Sequence, residues 1–293
     1  KILYITASQS VVNEVEKRAF LANRNIQYHT LNSLINSLLN TNKTLLSFSN
    51  FEKMFSSNYI DDYQLIRKIN LLKQKYSLLR IYGEIHGIIL GLNKSNEIRS
   101  MSKVEYLNSA LNDSITINNN EREVLFDISR LYAKYLGSEY YESNTVCLQL
   151  LNTNNKKFDL VLVDEVQDFT DIEFTFIYSL VNNKKQLFIT GDPNQTINPT
   201  LFDLGNIKSK FFNQSIDLYK YGPLKDNHRN SGVITQLINQ LNDIRNKKLT
   251  ARKIEYTLDE IGQSTVNGKI YVYNGPIKYL DKFRTSANVI EIA

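Results

Sequence analysis

The chain has 293 residues, 42% of them hydrophobic and 22% charged, which is the make-up of an ordinary globular protein long enough for two domains or for one with a large insertion. Its formal net charge of +5 comes from 35 basic and 30 acidic residues spread along the chain, a balance that permits a polyanionic partner without demonstrating one. The single cysteine, Cys147, excludes an internal disulfide and a cysteine-built zinc cluster, the three scattered histidines speak against a His-rich metal site, and no apolar run approaches membrane-spanning length.

The first residues, Lys1 to Thr6, alternate into a short strand and lack the layout of a signal peptide, so the expected compartment is the cytoplasm and no membrane contact is expected. The start at Lys1 rather than Met leads us to expect a fragment of something longer. Ser8 to Ala22 carries helical signals, with Ser8 or Ser10 as cap and Val11, Val15 and Phe20 inward. Ile26 to Leu31 reads as a strand, and Leu31, Leu34, Ile35 and Leu38 give the next helix one apolar face behind a cap at Thr30 or Asn32. Strand, polar turn, helix is repeated α/β grammar.

From about Thr41 the grammar changes. Leu65, Ile69, Leu72, Tyr76 and Leu79 mark a helix studded with Arg67, Lys68, Lys73, Lys75 and Arg80, and Val124, Ile128, Leu131 and Tyr135 mark another. The basic faces read as solvated outer surfaces, with nucleic acid as the alternative partner. Residues 41–150 are expected to form an all-helical insertion, in which Cys147 is a core thiol and His86, like His29 before it, is structural.

The α/β pattern returns at Asn154. Phe158 to Phe169 holds the apolar run Leu160 to Val163, expected to be a strand buried on both faces, and that run ends in Asp164 and Glu165. Adjacent carboxylates at the carboxyl end of a parallel strand suit a hard cation and an activated water; they equally suit the start of a solvated loop. Asp168 to Val181 reads as a helix capped by Asp168, and Leu187 to Thr190 as a second strand ending in Gly191-Asp192-Pro193-Asn194-Gln195. A strand-helix-strand crossover of this length sets both polar ends at one rim, where Gln195 could reach a group near Glu165. Beyond them, Phe202 to Phe212 is a helix or turn, Leu224 to Gly232 is polar, and Val233 to Arg245 is a helix. Ile254 to Ile261, Lys269 to Tyr273 and Asn288 to Ala293 read as strands or loops of a new unit.

With these motifs laid out in this order, the chain resembles the superfamily 1 helicases of the UvrD/Rep type. Asp164-Glu165-Val166-Gln167-Asp168 looks like that family's Walker B element, Gly191 to Ile197 is similar to its motif III, and Asn227-His228-Arg229 to the Asn-Tyr-Arg of its motif IV. Thr6 to Ser10 and His29 to Leu34 resemble its motifs Ia and Ib. Within the family the resemblance is nearest to UvrD-like regions of large repeat-containing proteins, which also lack an aromatic-Arg-Gly ending after motif III. The resemblance implies a RecA-like parallel sheet with helices on both faces, carrying a large helical insertion like the family's 1B domain. The domains expected are 1–40 and 151–245 for the two parts of the RecA-like 1A domain, 41–150 for the insertion, and 246–293 for the start of a truncated 2A-like domain.

The same resemblance implies that ATP and Mg²⁺ are the cofactors and single-stranded DNA, or RNA, the partner, with further domains of a longer chain as other partners. Asp164 would ligate Mg²⁺ and meet the nucleotide, and Glu165 would activate water. Gln195 would sense the γ-phosphate, Arg229 would neutralise its charge, and His228 would stand where the family has an adenine-stacking Tyr. Thr6 and Thr30 would touch backbone phosphates and Phe202 would stack on a base. The 293 residues contain no Gly-x-x-x-x-Gly-Lys-Ser/Thr, and the family's motifs V and VI are absent from them. The expected function is therefore that of a piece of an ATP-dependent helicase or translocase, inactive by itself, with its phosphate loop upstream of Lys1. A non-enzymatic helicase-like binding module is the alternative, and a carboxylate-built nuclease is a weaker third.

Overall fold

The computed structural model describes residues 1–19, 25–56, 60–93, 98–109, 117–134, 140–153, 157–192, 195, 200, 204–213, 216 and 230–251. They fall into two compact units, Lys1–Leu218 and Tyr219–Ala293. In the first unit β1 (Ile2–Thr6), α1 (Gln9–Ala19), β2 (Ile26–Thr30) and α2 (Leu31–Leu39) open the chain where the sequence pattern places two strand-helix pairs. Thr30 caps α2: its Oγ1 accepts from Ser33 N and its own N–H donates to Ser33 Oγ, a reciprocal capping box. Asn32, the other candidate cap, accepts from Leu45 N with its Oδ1. In α1 the buried residue is Val12 rather than Val11 or Val15, and Phe20 lies outside the described residues.

The expected helical stretch contains β3 (Thr44–Leu45), α3 (Phe48–Ser56), α4 (Tyr63–Lys75), α5 (Leu78–Gly83), α6 (Lys103–Asn108), α7 (Asn119–Lys134) and β4 (Tyr140–Tyr141). The stretch is not wholly helical, because β3 and β4 pair in parallel over two residues each, too short a ladder to write a period-2 pattern. The run Leu65 to Leu79 is two helices, because Tyr76 is extended and Ser77 starts a new helix by accepting from Arg80 N. After α5 the backbone widens into a π-helical segment, Glu84–Leu90, that ends at Gly91. Phe51, Met54, Ile69, Tyr82, Ile128 and Tyr132 are among the residues of an apolar cluster belonging to this part of the chain.

A second cluster lies on the sheet. Its strands are β1, β2, β5 (Leu160–Val163) and β6 (Leu187–Ile189), all parallel in the order β2-β1-β5-β6. Leu3 and Ile5 of β1 stand beside Val161 and Val163 of β5, and all four are buried with residues of α2, α8 (Ser143–Leu151) and α9 (Asp171–Ser179). The alternate residues Leu160 and Leu162 are only partly buried, so β5 has one enclosed face and one half-enclosed face instead of two enclosed ones. Helix α10 (Leu204–Asn213) adds Ile207 and Phe211 to the same cluster, and Cys147 of α8 is its expected core thiol. Thr170, not Asp168, caps α9, forming a capping box with Glu173, while Asp168 belongs to a 3₁₀ turn. In the second unit the described element is α11 (Gly232–Ala251), longer than its expected span, and the strands expected after it lie outside the described residues. Among the described residues no helix is long and apolar enough to cross a membrane.

A buried polar knot ties the π-helical segment to α8 and α9. Asn144 donates from Nδ2 to His86 O and Glu142 Oε1 and accepts from Thr170 Oγ1, while Ile172 N donates to Gly91 O. His86 stacks on Tyr82 and lies 3.4 Å from Glu142 Oε1. Burial disfavours the His86 imidazolium, but the bond to Glu142 and the charges of Glu173 and Glu142 outweigh it and raise the pKa. Burial likewise opposes ionised Glu142, yet His86 and the donors of Thr145 hold its carboxyl below the usual range.

The signs of these shifts give a pH window. Stability from Glu142 is present above its ordinary pKa and is lost as pH falls through its lowered value; stability from His86 is present below its ordinary pKa and is lost as pH rises through its raised value. His86→Gln should cost about 1–3 kcal/mol near pH 6. In urea denaturation series, the gap to wild type should narrow in alkali.

Candidate functional site

Strand β5 delivers its acids to the rim between two neighbours. Asp164 N donates to Ile5 O (2.9 Å), extending the ladder with β1 one residue past the last apolar position. The Asp164 carboxylate is then held from both sides: Oδ2 accepts from Tyr4 Oη at 2.6 Å and Oδ1 from Thr190 Oγ1 at 2.5 Å. Burial, reinforced by the bond to Asp164, raises the Tyr4 pKa well above its ordinary value, so this phenol is a donor throughout the neutral range. Oδ1 also accepts from Glu165 N at 3.1 Å, so Oδ2, with its one bond from Tyr4, is the oxygen that keeps acceptor capacity.

At Glu165 the chain turns sharply. Its φ of 53° and ψ of 48° put a non-glycine residue in the left-handed region, a conformation that costs on the order of 1–3 kcal/mol and persists only when its surroundings enforce it. Val166 N donates to Thr190 O (3.0 Å), and Asp168 N donates back to Glu165 O (2.9 Å). The kink ends the strand's alternation and starts the 3₁₀ turn Val166–Asp168, leaving the Glu165 side chain partly exposed.

Gln167 lies in that turn and is buried. Its Nε2 donates to Glu165 Oε2 (2.6 Å), its Oε1 accepts from Asp192 N (3.1 Å), and its carbonyl accepts from Thr200 Oγ1 (2.6 Å). Gly191 makes the approach possible: a Cβ there would stand 2.5 Å from Gln167 Oε1 and 2.8 Å from Val166 Cγ1. Gln195 is exposed, its N donating to Asp192 O and its Nε2 to Asp192 Oδ2, both at 3.0 Å. The expected side-by-side rim is present, and between Glu165 and Gln195 the hydrogen bonds run through Gln167 and Asp192.

The other candidate residues are elsewhere. Thr6 is fully enclosed, with no hydrogen-bond partner for its Oγ1, and the Thr30 hydroxyl serves the α2 cap. His29 pairs with Ser33 Oγ (3.1 Å) and His86 sits in the knot, both in structural positions. Phe202, His228 and Arg229 lie outside the described residues. Gly191 is read from the sequence as part of the tight turn at the strand end, but its close approach to Gln167 is not; Tyr4, Thr190 and Gln167 carry no role in the sequence pattern, because theirs depends on which strands are neighbours.

Among the described residues no group of three or more His, Cys, Asp or Glu could hold a metal ion. One well-oriented carboxylate with spare acceptor capacity fits a hard cation that arrives with waters and phosphate oxygens as its other ligands. A cage made only by protein side chains is not what this rim provides.

Compared with known proteins, residues 2–198 match the family model of the UvrD/REP helicase N-terminal domain. A "Probable DNA helicase II homolog" of Mycoplasma capricolum subsp. capricolum is 30% identical over 121 residues, which are 40% of this chain and 16% of that protein. A protein of the same description from Mycoplasma genitalium is 29% identical over 182 residues, 62% of this chain and 22% of that protein. The chain thus spans under a quarter of the length of these curated relatives.

The close approach at Gly191 has a direct test. Gly191→Ala should force the two loops apart at a cost of about 1–3 kcal/mol. Hydrogen exchange should speed up at the Asp192 and Val166 amides, while β1 keeps its protection.

Proposed function

The chain belongs to the UvrD/REP helicase family through the N-terminal domain, and on that premise we propose that it is the segment of an ATP-driven helicase or translocase that carries the hydrolytic carboxylates. The observation that supports this reading most is the joining of the two polar rims: Asp164 fixed between Tyr4 and Thr190, and Glu165 linked through Gln167 and Asp192 to the loop of Gln195. Asp164 would hold Mg²⁺, which would supply charge neutralisation on the phosphate oxygens of ATP.

The protein groups divide the remaining work. Tyr4 and Thr190 keep the Asp164 carboxylate facing one way, so that no reorientation is needed when nucleotide arrives. Glu165 accepts a proton from, or orients, the attacking water. Its partly exposed position past the strand end and its fixed backbone suit a group that must meet solvent in one geometry. By the resemblance to the family, Gln195 would contact the γ-phosphate, and Arg229 and His228, which lie outside the described residues, would neutralise its developing charge and stack on the base.

The nucleic-acid partner in this reading is a single strand, DNA or RNA, bound mainly through its phosphates. Contact by Thr6 or Thr30 would require the first to leave its enclosure and the second its cap; Phe202 offers a base platform. The domains proposed are the RecA-like 1A parts at 1–40 and 151–245, the insertion at 41–150 and a 2A-like start at 246–293. No phosphate-loop consensus occurs within these 293 residues, which is the observation favouring the second reading, a helicase-like module that binds without hydrolysing.

The full-length protein distinguishes the two readings. Wild type should show ATP hydrolysis stimulated by single-stranded nucleic acid, and Glu165→Gln should lower kcat by about 100-fold or more with little change in KM. Residues 1–293 alone should not turn over ATP. Equal rates for wild type and Glu165→Gln would refute the role given to Glu165 and support the binding module.

A further inference from the structure

Gln167 is a buried side chain hydrogen-bonded to both rims, and we infer that it is a positioning residue that transmits the state of the Gln195 loop to the Glu165 carboxylate. The inference rests on the proposed hydrolytic reading and goes beyond it by naming the physical link between the two motifs.

Three features of the geometry carry it. First, the amide uses its two ends on different partners: Nε2 donates to Glu165 Oε2 at 2.6 Å, and Oε1 accepts from the backbone N–H of Asp192 at 3.1 Å. An amide is the side chain suited to this, since a carboxylate could not donate to Glu165 and an amine could not accept from Asp192. Second, the relay continues without a gap, because Asp192 accepts from Gln195 through both its carbonyl and its carboxylate. Third, Gln167 is braced. Its relative exposure is 2%, Thr200 Oγ1 donates to its carbonyl, and its Oε1 lies so close to Gly191 that a Cβ there would stand 2.5 Å away.

A shift of the Gln195 loop on meeting a phosphate therefore moves the Asp192 N–H. The N–H draws the Gln167 amide, and the amide turns the Glu165 carboxylate, whose backbone is locked in the left-handed region. Glu165 cannot follow by backbone adjustment, so the side-chain bond is the available route. Gln167 itself touches neither substrate nor water in this scheme.

The test is a double-mutant cycle in the full-length protein, using ATP and a homopolymeric single-stranded DNA as probes. Gln167→Met keeps the volume and removes both hydrogen bonds. It should lower DNA-stimulated kcat by about 10–100-fold, leave KM for ATP within about threefold, and keep the urea midpoint close to wild type. Combining it with Gln195→Ala should produce little further loss, because both changes cut one relay. Additive losses in the cycle, or a Gln167→Met variant with normal stimulated kcat, would overturn the inference while leaving the hydrolytic reading intact. If Gln167→Met does not fold, Asp192→Pro, which removes both the relayed N–H and the carboxylate that accepts from Gln195, takes its place with the same expected non-additivity. A wild type without ATP turnover and indistinguishable from Glu165→Gln would instead sink the hydrolytic reading, and the inference with it.

Discussion

Strand β5 has a parallel neighbour on each side, and the hydrogen bonding to both runs past its last apolar residue. Everything at the rim depends on that. With β1 on one flank and β6 on the other, Asp164 emerges between a phenol and a hydroxyl that arrive from strands far away in sequence. The same two neighbours hold the backbone at Glu165 in its left-handed conformation, whose cost of on the order of 1–3 kcal/mol has to be met by surrounding bonds. The sheet is thus less a platform beneath the site than the set of constraints that gives it one geometry.

The helical part is joined to that sheet by polar groups rather than by apolar contact alone. Around Asn144 a single buried amide meets His86, Glu142 and Thr170, and the wider π-helical backbone brings Gly91 O to the first turn of α9. A Cβ at Gly91 would meet His86 O at 2.4 Å and Thr170 Cβ at 2.9 Å, so the two elements pass as closely as backbone permits. Helix α9 is therefore fixed at its start both by the knot and by the Lys210–Asp171 ion pair (2.7 Å). Since α9 directly follows the 3₁₀ turn, this anchorage also limits how the carboxylates can move.

Much of this was legible in the residues. The alternation of Leu3 and Ile5, the apolar run Leu160 to Val163 and the helical spacing of Leu31, Leu34 and Ile35 follow from periodicities of two and of three to four, and the structure has β1, β5 and α2 there. The adjacency of β5 and β6 followed from the length of the crossover between them. Less legible were features that depend on competition between caps. Asp168 and Thr170 are both good helix starters, and Thr170 prevails because Glu173 stands three residues on and completes a box. The break at Tyr76 was hidden because the apolar spacing continues through it; the cue was Ser77. Tyr4, Thr190 and Gln167 could not be read in advance, because their significance comes from partners about 26 to 160 residues away or from a turn whose backbone pattern no period announces.

In the proposed reading Asp164 would bind its cation together with a nucleotide rather than alone, as one oriented carboxylate with no supporting cage among the described residues requires. Electron paramagnetic resonance of Mn²⁺, a spin-active substitute for Mg²⁺, measures this directly in the full-length protein. The account predicts negligible bound Mn²⁺ without nucleotide, one bound ion when a non-hydrolysable ATP analogue is added, and loss of that ion in Asp164→Asn. Tight Mn²⁺ binding without nucleotide, or nucleotide-dependent binding unaffected by Asp164→Asn, would contradict it.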